Sequence, residues 1–407
     1  MVDALMVTKV ASKADYRAFL TFPWTLYRTS PYWVPPLMSM QKHRFDRAKN
    51  PSWQHMEGDY FLARRGGQVV GTIAAFVNHR HNEFQNENIA FFGAFEVIDD
   101  QAVAEALLGA AVEWAKQRGY TALRGPATFS TNDECGVLVE GFEDTPAVLM
   151  PYNRPYYERL LERAPGFAKV MDLICYNFTT QGFATSPKVQ QAIRVTRRNN
   201  ERRQIRVRVL DGDAVKSELE TLKDIYNQAW DRNWGFVPLS DPELDEMVKD
   251  LGQFLDPRLT FFAEVGGEPA GFMLGIPDLN GALQRAYPRP NVPEPLTLLK
   301  VLWHWKVRSK ITRIRVPLMG VKKAYRNMGV EAAMIVELLN QVDVLSSKMG
   351  WERADAGWVL ETNDDMNHIV EALNGEPYKR FRFYERALAS ASAPAVSSSE
   401  PRGNEDA

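Results

Sequence analysis

The chain has 407 residues, of which 45% are hydrophobic, and its 49 Lys and Arg nearly balance its 51 Asp and Glu. This length predicts two domains or more, and the apolar content predicts that they have packed cores. A net charge of −2 gives no general attraction to nucleic acid, and we expect no nucleic-acid partner. Two cysteines and six histidines form neither a disulfide framework nor a metal set, which is typical of a reducing cytoplasm.

The N-terminus lacks the cationic start, apolar core and cleavage site of a secretory signal. No stretch approaches the roughly 20 consecutive apolar residues that span a bilayer. We therefore expect a soluble, cytoplasmic protein.

The first half of the chain is predicted to be a mixed unit of strands and helices. Gly66-Gly67 separates two β-prone runs and predicts a hairpin. Asp99-Asp100 stands at the N-cap position of a helix with a continuous apolar stripe, and Gly119 ends that helix. The predicted elements are a helix at 14–26, strands at 60–63, 69–74 and 89–97, a helix at 102–117, a strand at 122–124, a loop at 125–136, a helix at 156–163 and a strand at 167–178.

The second half repeats this order. Gly266-Gly267 again predicts a hairpin, and Ser240-Asp241-Pro242 opens a helix. The predicted elements are a strand at 205–210, helices at 215–230 and 241–254, strands at 260–265, 269–276 and 311–321, a helix at 329–349, a strand at 352–362, a helix at 364–373 and a strand at 378–387.

The repeated order predicts a duplicated fold. We place a first domain at residues 1–185, a polar linker at 186–204 and a second domain at 205–388. The tail at 389–407 is rich in Ala, Ser and Pro and shows no periodicity, so we predict that it is disordered.

The clearest chemical motif lies where an apolar strand at 316–321 runs through a basic turn into a helix, with Arg326 and Gly329 at the junction. Free N–H groups and the positive dipole end of such a helix bind anions such as a pyrophosphate. Glycine lets the phosphate approach the backbone closely. The alternative is an ordinary strand–turn–helix joint with an exposed arginine.

With the strand, helix and aromatic strand that follow it, this unit resembles the GNAT superfamily of acyl-CoA N-acyltransferases. The resemblance implies an α+β fold with two tandem GNAT-like domains, each a mixed, mostly antiparallel sheet flanked by helices. In that superfamily R/Q-x-x-G-x-G/A cradles the CoA pyrophosphate, and the fourth and fifth strands splay to admit the pantetheine arm. Glu331 stands at the last small-residue position of the motif, which puts close phosphate approach there in question. The implied CoA-binding residues are Val321, Arg326, Gly329 and Val330, with acyl-CoA as a co-substrate and no permanently bound cofactor.

The first half has no such motif before its long helix, so we predict one CoA site in the chain. The whole chain also resembles a bacterial family with two such domains, which includes the bacterial ceramide synthases. These enzymes N-acylate a sphingoid base with a fatty acyl-CoA. The residues that carry this resemblance are Phe22-Pro23-Trp24-x-x-Tyr27, Trp33-Val34-Pro35-Pro36, Phe91-Phe92-Gly93-Ala94-Phe95-Glu96, Gly125-Pro126 and Thr131 to Gly136.

Acyl transfer to an amine needs a base for the amine and an acid for the departing thiolate. Glu96 and Glu361 each end an apolar strand, where burial would raise the pKa of a carboxyl group. Tyr384 is our candidate acid, because the place where many such enzymes carry a tyrosine is held here by Val370. The alternatives are salt-bridged strand ends for both carboxylates and a core aromatic for Tyr384.

The polar loop that contains Asn132, Asp133 and Glu134 lies between apolar strands, and such loops carry function more often than bulk surface does. We predict that these three residues bind the acceptor amine in a cleft between the halves, near Glu96, and Asp133 and Glu134 are further candidate bases. Asn132 and Asp133 are also ordinary turn formers, which is the alternative.

A segment at 296–310 mixes Leu, Val and Trp with four basic residues. Such a helix suits a lipid surface, with Trp at the headgroups and Lys or Arg toward acidic lipids. It would bring the protein to the inner face of the membrane. The alternative is an amphipathic helix packed on the domain with a solvated basic face.

We interpret the chain as an acyl-CoA-dependent N-acyltransferase that joins a long acyl chain to a sphingoid base. The first alternative is the same chemistry with acetyl-CoA on a small amine or amino acid. The second is a non-catalytic module that binds acyl-CoA or lipid, which the missing tyrosine and Glu331 favour.

Overall fold

The computed structural model describes residues 4–179, 186–211, 215–229, 233–252, 256–308 and 311–388. The hairpin predicted around Gly66-Gly67 is present, and the long helix of the first half begins at Asp100 as expected. The elements of this half are β1 (Leu5–Lys9), α1 (Lys13–Leu26), α2 (Met38–Phe45), β2 (Met56–Arg65), β3 (Gln68–Asn78), α3 (His79–Gln85), β4 (Ile89–Val97), α4 (Gln101–Lys116), β5 (Ala122–Gly125), β6 (Val137–Glu140), α5 (Tyr156–Arg163) and β7 (Phe167–Thr179).

The second half repeats hairpin, strand, long helix, strand, short helix and strand, as the sequence predicts. Its elements are α6 (Pro187–Arg203), β8 (Ile205–Val209), α7 (Val215–Ala229), α8 (Asp241–Gly252), β9 (Thr260–Val265), β10 (Glu268–Pro277), α9 (Asn280–Ala286), α10 (Glu294–Leu302), β11 (Arg313–Val321), α11 (Val330–Met349), β12 (Arg353–Leu360), α12 (Asp364–Ala372) and β13 (Glu376–Ala387).

The strands of both halves form one sheet, in the order β1-β2-β3-β4-β5-β13-β7-β12-β11-β10-β9-β8, and β6 pairs with β13 beside this path. Within the described residues, β4–β5 and β11–β12 are the parallel pairs, and the other pairs are antiparallel. The last strand of the chain, β13, lies between β5 and β7, while β7 pairs with β12. Each half therefore completes its part of the sheet with a strand from the other.

Helices cover both faces of the sheet because alternate residues of a strand point to opposite sides. In β3, Ala75 and Val77 belong to the core beneath α4 and α5. Their neighbours Ala74 and Phe76 belong to the core beneath α1 and α2. In the second half α6, α11 and α12 cover one face and α7 and α8 the other. This is the α+β arrangement that the sequence predicts.

Helix α6 fills most of the stretch at 186–204 that we predict as a linker. Its Val189, Ile193 and Thr196 are buried, and the first two belong to the core beneath α11. Their spacing is that of one helix face. The stretch therefore packs on the second half, and domain limits at 185 and 205 remain a proposal.

The predicted tail at 389–407 lies outside the described residues. Among the helices that the structure describes, none is long and apolar enough to cross a membrane.

Candidate active site

Strands β11 and β12 separate part-way along their length. They pair in parallel over 313–316 and 353–356. Beyond that point β11 stays on β10 while β12 follows β7, so among the described residues no strand pairs with the edge of β11 over 317–321 on the β12 side. This fork is the splay that the GNAT resemblance predicts for the pantetheine arm.

The fork opens into a cavity of about 1730 Å³ between the two halves. Ordinary ligand pockets enclose roughly 300–1,000 Å³. The walls are mainly apolar and come from both halves. They include residues 33–46 and 126–137 of the first half, and 315–319, 356–360 and the α11 side chains Ile335, Leu338 and Leu339 of the second half.

Glu96, near the end of β4, faces this cavity. Its Oε2 accepts hydrogen bonds from the hydroxyls of Tyr27, at 2.5 Å, and Tyr157, at 2.8 Å. Burial raises the pKa of the Glu96 carboxyl to about 7, against the opposing effect of the two tyrosine hydrogen bonds. A carboxyl group with this pKa can exchange a proton at neutral pH.

The loop at 131–136 lies on the same cavity. The Glu134 carboxylate accepts hydrogen bonds from Nη1 and Nη2 of the Arg44 guanidinium, each at 2.9 Å. Asp133 accepts a hydrogen bond from the Ser130 hydroxyl at 3.0 Å, and burial raises the pKa of its carboxyl group to about 7. Asn132 forms hydrogen bonds that connect the loop to the second half.

Two hydrogen bonds of Asn132 make that connection. Its Nδ2 donates to the carbonyl of Val237 at 3.0 Å, and its Oδ1 accepts from the hydroxyl of Tyr226 at 3.1 Å. Both partners lie in the second half, on or just after α7. The amide of Asn132 is therefore engaged in holding the loop, whereas Asp133 supplies a carboxyl group with a raised pKa.

The four predicted CoA residues lie at one joint between β11 and α11. Gly329 is the N-cap of α11 with φ of +87°, a conformation that favours glycine, and it provides no side-chain cap. The Arg326 guanidinium donates to the carbonyl of Ala229, at the C-terminal end of α7, at 2.7 Å. Val321 and Val330 are buried beside this turn. The joint has the form of a helix N-terminal anion site.

Glu331 lies in the first turn of α11, inside this joint. Burial raises the pKa of its carboxyl group, while a hydrogen bond from its own backbone N–H and the charge of Arg326 act in the opposite direction. Its carboxylate therefore takes up an N–H group of the turn that would otherwise meet a phosphate. A pyrophosphate could bind here only if the Glu331 side chain moved away or if its carboxyl group were protonated.

Glu361 and Tyr384 do not line the cavity. Glu361 accepts hydrogen bonds from Lys169 Nζ at 2.8 Å and from the backbone N–H of Asp172 at 2.9 Å. Tyr384 is 1% exposed, within the core beneath α4 and α5. A salt-bridged strand end and a core aromatic, the alternatives stated above, describe these two positions.

Three residues that bind Glu96 or Glu134 were not singled out for a role from the sequence: Tyr27, Tyr157 and Arg44. Tyr27 ends a motif that carries the family resemblance, which was its only signal. Tyr157 and Arg44 come from helices with no motif, and long chain separation hides their contacts with Glu96 and Glu134.

Two other chemistries find no support in the described residues. The thiol of Cys135 is buried, and burial raises its pKa well above the usual value, which disfavours a nucleophilic thiolate. No group of three or more His, Cys, Asp or Glu in the described part of the chain is arranged to hold a metal ion.

Comparison with known proteins gives two relatives that match along nearly the whole chain. The bacterial ceramide synthase of Caulobacter vibrioides is 34% identical over 385 residues, 94% of this chain and 98% of that protein. Protein YghO of Escherichia coli is 31% identical over 390 residues, 94% of this chain and 95% of that protein. No model of a known protein family matches the chain.

Among solved structures, a tandem GNAT protein from the clavulanic acid biosynthesis pathway superimposes with a TM-score of 0.50 at 13% identity. The alignment covers 94% of this chain and 98% of that one, so the shared feature is the tandem fold. These comparisons confirm the predicted fold class and both resemblances. The chain therefore has the tandem GNAT fold of N-acyltransferases, and it belongs to the family that includes the bacterial ceramide synthase of Caulobacter vibrioides and protein YghO of Escherichia coli.

Proposed function

We propose that this protein transfers a long-chain fatty acyl group from acyl-CoA to the amine of a sphingoid base, in the cytoplasm and next to the membrane. The observation that carries the proposal is the cavity of about 1730 Å³ at the β11–β12 fork, which holds two carboxyl groups with pKa values raised to about 7. The name of the Caulobacter relative points to the same lipid product.

The donor would lie along the joint, the fork and the cavity in that order. The pyrophosphate would sit at the N-terminus of α11 near Arg326 and Gly329, where N–H groups and the helix dipole favour an anion. The pantetheine arm would follow the free edge of β11 over 317–321. The acyl chain would then occupy the apolar part of the cavity beside Leu338 and Leu339.

Glu96 is the base in this proposal, and Asp133 is the alternative. Glu96 Oε2 is held by two tyrosines, which fixes the carboxylate while Oε1 can meet the amine. The neutral amine attacks the thioester carbon, and Glu96 takes the proton from the attacking nitrogen. The tetrahedral intermediate collapses with cleavage of the C–S bond, and the CoA thiolate leaves and takes up a proton.

The size of the cavity favours lipid substrates over the acetyl-CoA alternative. The cavity is larger than an ordinary ligand pocket, and an acetyl group with a small amine would fill only a small part of it. Two alkyl chains would bury apolar surface along the whole cavity, at about 25 cal/mol per Å².

A non-catalytic acyl-CoA or lipid-binding module remains the second candidate because of two specific residues. Glu331 opposes a pyrophosphate at the joint, and Val370 is buried on α12 at the place where related enzymes carry a tyrosine. Acyl-CoA binding with no thiol release from any amine would establish this candidate.

The test mixes the purified protein with acetyl-, octanoyl- or palmitoyl-CoA and with sphinganine or a small amine. Thiol release and the mass of the N-acyl product are followed together. We expect release that is fastest for palmitoyl-CoA with sphinganine and that matches the amide formed. Preference for acetyl-CoA with the small amine would replace the lipid assignment by the first alternative.

A further inference from the structure

Helix α10 and the helical turn after it, Trp303–Val307, present an apolar face to solvent. We call this element, residues 294–307, the rim helix. A helix on a water-soluble domain normally turns its polar face outward. Of the 14 large hydrophobic residues that are exposed in the described chain, six lie here, so exposure is concentrated in one element. They are Leu296, Leu298, Leu299, Leu302, Trp303 and Val307.

The opposite face of the rim helix packs on the protein. Thr297 and Val301 are buried, and Val301 belongs to a small core with α9. The exposed leucines therefore do not belong to the face by which the helix packs on the protein. The helix is anchored on one side and apolar on the other.

The rim helix also borders the cavity. Leu298 and Leu302 line the cavity and are at the same time 41% and 47% exposed to solvent. Across from them Met40 of α2 lines the cavity and is 48% exposed, and the Ser39 N–H joins α2 to the Glu294 carboxylate at 2.8 Å. These side chains mark an opening of the cavity, framed by α2 and the rim helix.

The exposed charges beside this apolar face are positive, and the one acidic residue of the rim helix, Glu294 at its start, accepts the hydrogen bond from Ser39. Between residues 295 and 312 the sequence contains Lys300, Lys306, Arg308 and Lys310 and no Asp or Glu. Lys300, Lys306 and Arg308 are exposed. Lys306 Nζ lies 3.8 Å from the ring centroid of Trp305, so a tryptophan and a cation share one site. Leucines flanked by Trp and Lys form the pattern of a helix that lies in the headgroup region of an anionic bilayer.

We propose that the rim helix docks on an anionic lipid bilayer and opens the cavity to the membrane, so that a single-chain lipid amine enters the site directly from the bilayer. The docking surface stands on exposure and charge alone, whereas the role in substrate delivery rests on the proposed function. A second copy of the chain would have to place negative charge opposite these lysines, and within residues 294–307 the one acidic side chain, Glu294, is bound to the Ser39 N–H.

Sedimentation of the full chain with vesicles tests the docking surface without any use of activity. The vesicles contain phosphatidylcholine with or without phosphatidylglycerol. We expect binding to the anionic vesicles and a strong decrease with added salt. Leu299→Gln and Trp303→Gln, neither of which lines the cavity, should each weaken binding about tenfold. Lys300→Gln and Lys306→Gln should each weaken it about fivefold.

Val344→Gln is the matched control, because Val344 is 67% exposed on α11, outside the rim helix. It should bind vesicles as the wild type does. The double variant combines Leu299→Gln with Trp303→Gln. Because both residues are exposed, it should keep the wild-type circular dichroism and unfolding midpoint. Activity on octanoyl-CoA with a water-soluble amine should also be unchanged in the double variant.

The docking proposal is overturned if the wild type stays in the supernatant with anionic vesicles, or if the double variant binds them as tightly as the wild type. A wild-type dimer that the double variant converts to monomer would show that a second copy covers the face, which also overturns it. Vesicle binding without amide formation would leave the docking surface intact and refute the proposed function alone.

Discussion

The two halves repeat one order of elements, yet the long helix begins differently in each. In the first half the Asp100 carboxylate accepts hydrogen bonds from the N–H groups of Ala102, at 3.0 Å, and Val103, at 3.2 Å. In the second half Gly329 stands in that place and provides no cap. A helix N-terminus attracts anions. The Asp100 carboxylate binds two N–H groups at the start of α4, whereas Glu331 takes up one N–H group at the start of α11, where we propose that the donor binds.

The parallel strand pairs of the two halves also differ, because β4 and β5 stay together whereas β11 and β12 separate. Past the last paired residues of β4 and β5, the Ala127 N–H still donates to the Phe92 carbonyl at 2.9 Å. A side chain at Gly93 would lie 1.8 Å from the Ala127 carbonyl oxygen, so this gap is closed. The corresponding strands β11 and β12 separate and open the cavity. We infer that duplication left the donor site in one half and the acceptor-side carboxylates in the other.

The largest expected effect tests the contribution of the first half. Glu96→Gln should lower kcat by roughly 10²–10⁴-fold, because it removes the proton acceptor, while acyl-CoA binding stays at the wild-type level. Since the base must be unprotonated and the pKa of Glu96 is raised to about 7, the wild-type rate should increase with pH up to about 7 and then level off. Steady-state kinetics across pH measures both.

Glu361→Gln is the control, a carboxylate at a strand end that does not line the cavity. It should keep wild-type turnover. Full activity in the Glu96 variant, combined with loss in Asp133→Asn, would move the base to Asp133.

A smaller effect is expected at the donor joint of the second half. Arg326→Ala should raise the KM for acyl-CoA about tenfold, because a charge-assisted contact to phosphate is lost. Arg118→Ala, an exposed arginine just after the long helix of the first half, should leave that KM unchanged. Equal effects of the two variants would mean that the joint does not hold the donor.

Glu331→Gln should strengthen CoA binding about threefold, since it removes a negative charge from the first turn of α11. Because the pKa of Glu331 is raised, CoA affinity of the wild type should increase as pH falls and this carboxyl group becomes protonated. The Gln variant should lose that dependence. Glu337→Gln, further along α11, serves as the control, and calorimetric titration at two pH values makes the comparison. Weaker binding in Glu331→Gln would assign Glu331 a supporting role.

The smallest effect on the reaction is expected from Asp100→Ala. It removes a cap and should lower the free energy of unfolding by about 1 kcal/mol, measured in urea, with no change in acyl-CoA affinity. The hydrogen bond from Arg65 and those of the helix hold the pKa of Asp100 low, so the stability difference should disappear as pH falls through that pKa. A change in acyl-CoA affinity would mean that α4 also takes part in donor binding.

Many turns and helix starts could be predicted because they depend on residues that are neighbours in the chain. Gly66-Gly67, Asp100 and Gly329 mark a hairpin and two helix starts by the conformations that those residues favour. The buried stripe of α6 at Val189, Ile193 and Thr196 was also present in the sequence, but the polar composition of the stretch suggested a linker. Local patterns therefore predicted the helices and strands, whereas the polar composition of α6 hid its buried face.

What could not be predicted depends on contacts between distant parts of the chain. Nothing local in β13 indicates that it pairs with β5 and β7 of the other half. The tyrosines that hold Glu96 are 69 and 61 residues away from it. Tertiary packing alone distinguishes Glu96, which faces the cavity, from Glu361, which ends a similar strand and pairs with Lys169.

The central claim is that one half holds a single acyl donor while the other supplies the base. Calorimetric titration with a non-reactive thioether analogue of palmitoyl-CoA tests it most directly. We expect one analogue per chain, with binding weakened by Arg326→Ala and unchanged in Glu96→Gln and Asp100→Ala. Two analogues per chain, or a loss of binding that follows Asp100→Ala instead of Arg326→Ala, would contradict it.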